Sequence, residues 1–390
     1  MKTLITSESC NIGHPDKTCD YIADCFLDEA LRQDPNAQMA VECAIKDDLL
    51  MIYGEATTTA DIDYSFIANK ALDDIGYKND FRIIQQISRQ SPEINGAVVK
   101  ERLAANDQGM CYGYACDETP ELMPLPIMLA HKMMRLYDEF RRSNPDIYFA
   151  DAKSQVTVEY EDGRPARIHT ALLSVSHSDL IRREVITADM RRHIIDPVLI
   201  GRTLSPDVPE TYVGGCGVPV DEKTVYIINP SGSFTKWGSF ADSGCVGRKI
   251  IVDTYGGVGR VGGGCFSSKN ATKVDRSGAY YARYAAKNVV AAGLADKCEI
   301  QVSYGIGLTE PISVSLETFG TGKLPDDELL TAVLSVFDFS PDNIIKELDL
   351  LKPIYAAASN YGHFGREGFT WERTDKTDAL IAAAEGKNAD

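Results

Sequence analysis

One order of predicted elements, a helix followed by a β-hairpin and a second helix, recurs three times along this chain of 390 residues. Apolar residues at helical spacing predict the helices, and β-rich runs on either side of turn residues predict the hairpins. The blocks occupy residues 15–75, 124–195 and 276–338. Because each hairpin can rest one face on its two helices, the pattern predicts an α/β fold of the α+β type, with three related units of mixed or antiparallel sheet backed by helices. The sheet faces that remain favour a homodimer.

Turn and capping residues set the predicted limits of these elements. Pro15 opens a helix that runs to residue 34, and Gly76 ends a helix that begins at residue 60. The hairpins are predicted at residues 37–58, 153–177 and 299–320. We divide the chain into an N-terminal α/β domain at 1–100, a central one at 101–222 and a C-terminal one at 223–390.

The composition narrows the class of partner. The formal net charge is -17 and the pI is near 4.8, which disfavours nucleic acids and anionic membranes because both require a basic face. No apolar run approaches the length of a membrane span, and the N-terminus is too polar for a signal peptide. The ten cysteines include no C-x-x-C pair, which is typical of core thiols in a reducing compartment. We therefore expect a cytoplasmic protein with no nucleic-acid or membrane partner.

Within this acidic chain, residues 242–276 carry a local excess of positive charge. Six lysines and arginines stand against three aspartates there, and six glycines lie between Gly256 and Gly264. Unshielded backbone N–H groups flanked by cations suit a phosphate chain. The alternative is a glycine-rich turn with solvated charges, and the stretch alone does not decide between the two.

Two nucleotide-binding motifs fail in this sequence. Residues 250–252 are predicted as an apolar strand, and Gly257, Gly259 and Gly262 then match G-x-G-x-x-G. No helix is predicted to open at the third glycine, so the dinucleotide-binding interpretation is weak. Gly322 and Lys323 lack the earlier glycine and the following Ser or Thr of a Walker loop.

Two predicted helix starts carry carboxylates beside cations. His14 and Asp16 begin the first helix, and Asp275 stands where the helix of the third block begins. Each aspartate can hold Mg²⁺ together with phosphate oxygens, and His14 can donate to a developing negative charge. The alternative is structural, with the aspartates serving as helix caps or favouring the helix dipole and His14 serving as a surface cap.

Six strings, in this order, resemble the S-adenosylmethionine synthetase family, also called methionine adenosyltransferase. They are GHPDK (13–17), DQG with GYA (107–115), DAKSQV (151–156), GRKIIVDTYGG (247–257), KVDRS (273–277) and GHFGRE (362–367). The resemblance implies three intertwined α/β domains related by pseudo-threefold symmetry. It also implies the reaction, in which methionine sulfur attacks ribose C5′ of ATP and the released triphosphate is hydrolysed to phosphate and pyrophosphate.

The resemblance also implies the site residues. The residues implied for catalysis are His14, Lys153, Arg248, Lys249 and Lys269. ATP would be bound by these residues together with Asp107, Asp151, Ala152, Ser233, Phe234, Asp242 and Cys265. Methionine would be bound by Glu55, Gln90, Asp242 and Lys273. Two Mg²⁺ ions per site would be held by Asp16 and Asp275, and K⁺ by Glu42. The site would lie between the subunits of a homodimer, and two dimers can form a tetramer.

The chain departs from the family pattern at several of these positions. Ala104 and Asn106 replace glycines in the usual GAGDQG, so a positive φ at Ala104 would be strained. Ser233 replaces an arginine, Val261 a histidine, and Cys265 a smaller residue. The irregular segment 89–110 corresponds to the gate over the site and is predicted to be a lid.

Two other functions fit the same cationic, two-carboxylate pattern. The first is an ATP-dependent phosphotransferase or triphosphate hydrolase that does not need methionine. The second is a non-catalytic protein that binds ATP without turnover. A binder has little need for all of the phosphate-facing cations and both aspartates, so we expect an S-adenosylmethionine-forming enzyme that depends on Mg²⁺ and K⁺.

Overall fold

The computed structural model describes residues 1–89, 103–201 and 215–386. The strands of this part of the chain are β1 Lys2–Cys10, β2 Gln38–Lys46, β3 Leu49–Thr57, β4 Arg82–Ser88, β5 Gly109–Cys116, β6 Tyr148–Glu161, β7 Arg164–His177, β8 Val225–Ile228, β9 Gly244–Cys245, β10 Lys297–Tyr304 and β11 Ser313–Glu317. Gln90, a predicted methionine ligand, and most of the predicted lid lie outside the described residues.

The α-helices of the described residues follow in the same chain order. They are α1 Pro15–Gln33, α2 Tyr64–Ile75, α3 Leu125–Ser143, α4 Arg183–Met190, α5 Asp196–Ile200, α6 Ile250–Asp253, α7 Val274–Ala291, α8 Asp326–Val336, α9 Pro341–Glu347, α10 Tyr355–Ala358 and α11 Thr377–Ala384. A π-helical turn joins α4 to α5. No helix in the described part of the chain is long and apolar enough to cross a membrane.

The local signals in the sequence predicted these elements well. The first helix begins at Pro15, with His14 as its N-cap, and Gly76 ends α2 in the left-handed conformation with φ of 115°. All three hairpins form, and the second turns through Asp162 and Gly163, both with positive φ. The mixed α/β fold with mainly antiparallel sheets backed by helices is therefore confirmed.

The three sheets exchange strands that are far apart in the chain. Their orders are β4-β3-β2-β9, β1-β6-β7-β8 and β11-β10-β5. The N-terminal strand β1 thus pairs with the central hairpin, β5 pairs with the third hairpin, and β9 pairs with the first. Sheet membership crosses the predicted boundaries after residues 100 and 222, and those boundaries stay a prediction.

The predicted strand at residues 250–252 is wrong, because Ile250–Asp253 forms the short helix α6. The amide of Asp253 donates to the Lys249 carbonyl at 2.9 Å, and the Thr254 hydroxyl donates to the Ile250 carbonyl at 2.7 Å. The helical turn buries Val252 and also directs the Asp253 carboxylate onto buried Lys17. Tertiary pairing overrides the strand preference of three β-branched residues.

The apolar core has two parts, and their limits follow the strand exchange. One cluster joins the sheets of the first and third hairpins and contains the fully buried Trp371. The second cluster belongs to the central sheet and to α3. Because the first and third sheets share one core, segments more than 200 residues apart in the sequence are held in fixed relation.

Candidate active site

The first turn of α1 places two of the predicted site residues in a buried corner. His14 Nδ1 accepts a hydrogen bond of 3.2 Å from the Asp16 amide, and the His14 and Asp16 side chains are only 6% and 2% exposed. Burial, reinforced by the charges of Lys249 and Lys153, lowers the pKa of His14 to about 2. The imidazole is therefore neutral at neutral pH, and because Nδ1 accepts, its proton is on Nε2.

Asp16 pairs with two of the six cations of the stretch 242–276. Its Oδ2 accepts from Lys249 Nζ at 2.5 Å, and its Oδ1 lies 3.3 Å from Arg248 Nη1. The amide of Cys245 also donates to Oδ1, at 3.1 Å. Arg248 stays 55% exposed while Asp16 is buried, so the positive charge of this cluster points outward from a buried anion.

Asp151 and Lys153 complete this first cluster from β6. The Asp151 carboxylate accepts from the Gly238 amide at 2.9 Å, and burial raises the pKa of Asp151 to about 6. Lys153 is exposed, pairs in register with Cys10, and its charge acts on both His14 and Asp151. Ala152 is buried between them, and its carbonyl accepts from Asn11 at 2.9 Å.

A second cluster forms around the start of α7. Lys269 Nζ donates to Asp275 Oδ2 at 2.7 Å, with the two side chains 19% and 25% exposed. Burial alone would lower the pKa of Lys269, but Cys265 and Asp275 outweigh it and the pKa is raised. Burial lowers the pKa of Lys273, against the opposing charges of Glu55 and Asp107. The charges of four predicted ligands of ATP, methionine or metal thus act on Lys273, namely Glu55, Asp107, Lys269 and Asp275.

The strand β2 joins the two clusters. Cys245 pairs with Ala44 of β2, and Lys269 forms an isolated bridge with Ala40. These two pairing points are four residues apart on β2, which corresponds to roughly 13 Å of strand. Glu42 lies between these pairing points on the same strand face, opposite Tyr53 in the register. The predicted potassium ligand is therefore positioned between the clusters. Among the described residues no hydrogen bond or ion pair links Asp16 to Asp275.

The remaining predicted ATP ligands lie on loops beside the first cluster. The Phe234 amide donates to His177 Nε2 at 3.2 Å, next to exposed Ser233. Asp242 is exposed, and its carboxylate raises the pKa of His14 against the larger opposing effects. Cys265 packs against Gly247, where an added Cβ would come within 2.7 Å of its sulfur. Cys265 thus lies beside the residue that precedes Arg248, and it also helps to raise the pKa of Lys269.

The expected strain at Ala104 is absent. Ala104 is buried, and it is not among the described residues with positive φ. Its neighbour Ala105 exchanges two backbone hydrogen bonds of 2.8 Å with the turn at Gly307 and Leu308. Asn106, which replaces the second glycine, accepts from the Val274 amide at 3.2 Å and so caps α7. The substituted segment is built into the start of the helix that carries Asp275.

Sequence reasoning missed an acidic row on α1. Asp16, Asp20, Asp24 and Asp28 are spaced four residues apart, and all are buried. We call these four side chains the α1 acidic row. Asp20 accepts from Lys17 Nζ and from the Gly247 amide, both at 2.9 Å. The i, i+4 spacing was visible in the sequence, whereas the distant partners were not.

The third member of the row anchors the second cluster. Asp24 accepts two hydrogen bonds of 2.8 Å from the Arg276 guanidinium, and one of 3.0 Å from the Ser268 amide. Arg276 follows Asp275 directly, and Ser268 precedes Lys269. The row therefore fixes both ends of the cationic stretch on one helix. Lys17, also missed, is fully buried and bridges Asp20 to Asp253 at 2.9 and 2.5 Å.

Three family models match successive parts of the chain and together cover most of it. Residues 2–92 match the S-adenosylmethionine synthetase, N-terminal domain. Residues 102–234 match the central domain, and residues 237–373 match the C-terminal domain of the same synthetase. The chain therefore belongs to the S-adenosylmethionine synthetase family, whose members are methionine adenosyltransferases.

Proposed function

We propose that this enzyme joins ATP and L-methionine by attack of the methionine sulfur on ribose C5′, and that the same site hydrolyses the released triphosphate to phosphate and pyrophosphate. The observation that carries the proposal is the first cluster, in which a buried neutral histidine lies beside Asp16 and its two cations. A thioether is a weak neutral nucleophile, so the rate depends on stabilising the leaving triphosphate.

The phosphate-binding groups in this proposal are Lys153, Arg248, Lys249 and Lys269. In the structure, three of them pair with the carboxylates proposed to hold magnesium. With Mg·ATP bound, these cations would pair with phosphate oxygens, and the two carboxylates would be free to hold the metal. Because each charge changes partner without losing compensation, the exchange avoids leaving a buried charge unpaired.

Asp16 and Asp275 fit a magnesium role by their chemistry. Mg²⁺ is usually held by one or two carboxylates together with phosphate oxygens and water. No group of three or more metal-ligating side chains gathers anywhere in the described residues, so protein ligands alone would not complete a site there. When bound, two Mg²⁺ ions would neutralise charge on the triphosphate. Glu42, between the clusters, is the proposed potassium ligand.

His14 in this proposal donates a hydrogen bond from Nε2–H to the oxygen that bridges C5′ and the triphosphate, and so stabilises the charge that develops there. The low pKa keeps the ring neutral, so the donor N–H is present without a charged imidazolium that would repel the neighbouring cations. Asp151, Ala152, Ser233, Phe234 and Cys265 would line the nucleotide, and Asp107 would lie nearby.

Methionine is proposed to be held by Glu55 and Lys273 at the second cluster and by Asp242 beside the first. A zwitterion needs an anion for its ammonium and a cation for its carboxylate. Glu55 and Asp242 would pair with the ammonium group of methionine, and Lys273 would pair with its carboxylate. The charge of Glu55 raises the pKa of Lys273 against the larger effect of burial, which supports this choice. Gln90, outside the described residues, stays a predicted ligand.

We propose a homodimer with shared active sites. The outward face of the first sheet exposes Met51 and Ile84, which are paired in register and 42% and 47% exposed. Glu42 and Glu55 lie on strands of the same sheet, near this apolar surface. A second subunit that covers the face would bury the apolar side chains and close the site at once. A pair of dimers stays a prediction.

We propose a cytoplasmic location for the enzyme. All ten cysteines are free thiols, and seven of them are buried. Free buried thiols are typical of proteins from a reducing compartment.

Mass spectrometry of the purified protein with ATP, Mg²⁺ and K⁺, with and without methionine, tests the reaction. We expect S-adenosylmethionine, phosphate and pyrophosphate only when methionine is present. Phosphate release without methionine would favour the phosphotransferase or hydrolase alternative, and bound ATP without any product would favour the non-catalytic one.

His14→Ala should leave ATP binding intact and slow sulfonium formation on the order of a hundredfold or more. Unchanged adenosyl transfer would remove His14 from its assigned role.

A further inference from the structure

A cavity of about 380 Å³ lies between α1 and α2, away from both clusters. Its size is in the range of small-molecule sites. Tyr21 and Cys25 of α1 and Phe66 and Ile67 of α2 form much of its apolar wall. The Phe66 side chain is 66% exposed although it borders a recess. The wall therefore offers an aromatic and aliphatic surface that no part of the described chain covers.

The charges around this cavity are unbalanced. Five carboxylates and two cationic side chains line it. Of the carboxylates, Glu29 is paired with Arg32, and Asp63 accepts from the Phe66 amide as the cap of α2. Asp74 accepts a hydrogen bond of 3.2 Å from the Tyr21 hydroxyl. The net charge of the lining favours a cationic ligand.

Asp28, the last member of the α1 acidic row, is the buried carboxylate of this lining. The residue is only 4% exposed. It accepts from the amides of Tyr355 and Ala356 at 2.9 and 3.0 Å. Within the described chain, no lysine or arginine nitrogen forms an ion pair with it, unlike Asp16, Asp20 and Asp24.

A carboxylate has about four lone-pair positions, so two amide donors leave acceptor capacity at Asp28. Burial raises the pKa of Asp28 to about 6, because the two amides and the charge of Arg276 do not offset the loss of water. Buried carboxylates are usually paired with a cation. The cavity therefore lies beside the one carboxylate of the row that has no lysine or arginine partner in the described residues.

We propose that this cavity binds a small organic cation, an alkylammonium or arylammonium compound whose charged head pairs with Asp28 and whose apolar body lies on Phe66 and Tyr21. The ligand would supply the cation that the fourth member of the acidic row lacks. None of these residues belongs to either cluster of the active site, so the proposal stands or falls apart from the reaction.

Isothermal titration calorimetry with phenethylammonium tests the proposal, and neutral 2-phenylethanol of nearly the same shape is the matched probe. We expect saturable binding of the ammonium compound to the full-length enzyme, with affinity at least about tenfold above that of the alcohol. Equal affinity of the two probes, or no binding of the ammonium compound, would overturn the proposal.

Variants assign the binding to this cavity. Asp28→Asn and Phe66→Ala should each weaken binding about tenfold, whereas Asp73→Asn, which removes the same charge from α2 outside the cavity lining, should leave it unchanged. If Asp28→Asn fails to fold, Phe66→Ala and Asp74→Asn, both at exposed positions, decide the question. Undiminished binding in the variants that fold, or an equal loss in Asp73→Asn, would place the ligand elsewhere.

Discussion

Each end of α1 carries a buried aspartate, and the electrostatic surroundings of the two aspartates are opposite. At the N-terminal end, Asp16 accepts from Lys249 and lies within ion-pair distance of Arg248. Towards the C-terminal end, the partners of Asp28 within the described residues are two backbone amides, and a cavity lies in front of it. Both residues are almost fully buried.

The difference shows what a buried carboxylate does when its partner changes. With a lysine or arginine it fastens a distant segment to the helix, as Asp24 does with Arg276. Without a cation it holds backbone amides and keeps spare acceptor capacity. The spacing along the helix is identical, so the partners alone decide between the two roles.

The largest expected effect on stability is at the ion pair in the middle of the α1 acidic row, between Asp24 and Arg276. Arg276→Met leaves Asp24 buried without its cation, and we expect the free energy of unfolding to fall by about 3–5 kcal/mol. Urea denaturation measures the change. The double variant Asp24→Asn/Arg276→Met, which removes both charges, should recover part of the loss. A single-variant loss no larger than that of the double variant would mean that the ion pair is not what holds α7 to α1.

The Asp28 end should differ from the cation-paired end in its pH dependence. The pKa of Asp28 is raised to about 6 in the folded protein, above its usual value near 4. The folded state therefore holds the proton more tightly. The stability contributed by the protonated carboxyl is complete below about pH 4 and is lost as the pH rises through about 6, by about 2–3 kcal/mol in total.

Urea denaturation of the wild type and Asp28→Asn across this pH range measures that loss. Asparagine cannot ionise, so the variant should gain stability relative to the wild type as the pH rises. Asp73→Asn, with an exposed carboxylate on α2, serves as the control and should follow the wild type. Parallel curves for the wild type and Asp28→Asn would show that Asp28 does not titrate in this range.

The smallest expected effect on stability is at the second cluster, where the ion pair is partly exposed. Lys269→Ala should change the free energy of unfolding by about 1 kcal/mol or less, because solvent screens the pair with Asp275. Adenosyl transfer should nevertheless fall on the order of a hundredfold, since a phosphate-facing cation is lost. Lys323→Ala removes an exposed lysine outside both clusters and should change neither quantity. A large loss of stability with intact turnover would reverse the assignment of Lys269.

The fold was predictable wherever the signal was local. Pro15, Gly76 and the turn at Asp162 and Gly163 act through backbone geometry within a few residues, and each lies where the sequence indicated. The exchange of β1, β5 and β9 between sheets depends on pairing across long separations, which no local pattern encodes. The strand predicted at residues 250–252 was wrong because the buried pair of Asp253 with Lys17 outweighs the strand preference of these residues.

The candidate site was predictable from the family resemblance more than from chemistry. The charge excess at residues 242–276 indicated a phosphate site, but nothing in the sequence placed Lys249 on Asp16 or Glu55 near Lys273. Asp20, Asp24 and Lys17 were missed because their role is to hold other residues in place. The four-residue period of aspartates, which puts four carboxylates on one side of a helix, was the signal that could have found them.

The strand exchange has a consequence for biosynthesis. As the chain leaves the ribosome, β1 emerges long before its partner β6, and β2 must wait for residues 244–245 before its second edge is paired. Until then both strands present open edges, which are templates for aggregation. The segment that closes β2 is also the one that brings Arg248 and Lys249 to Asp16. Pairing of this edge of β2 and delivery of the proposed phosphate-binding cations to Asp16 therefore depend on the same segment.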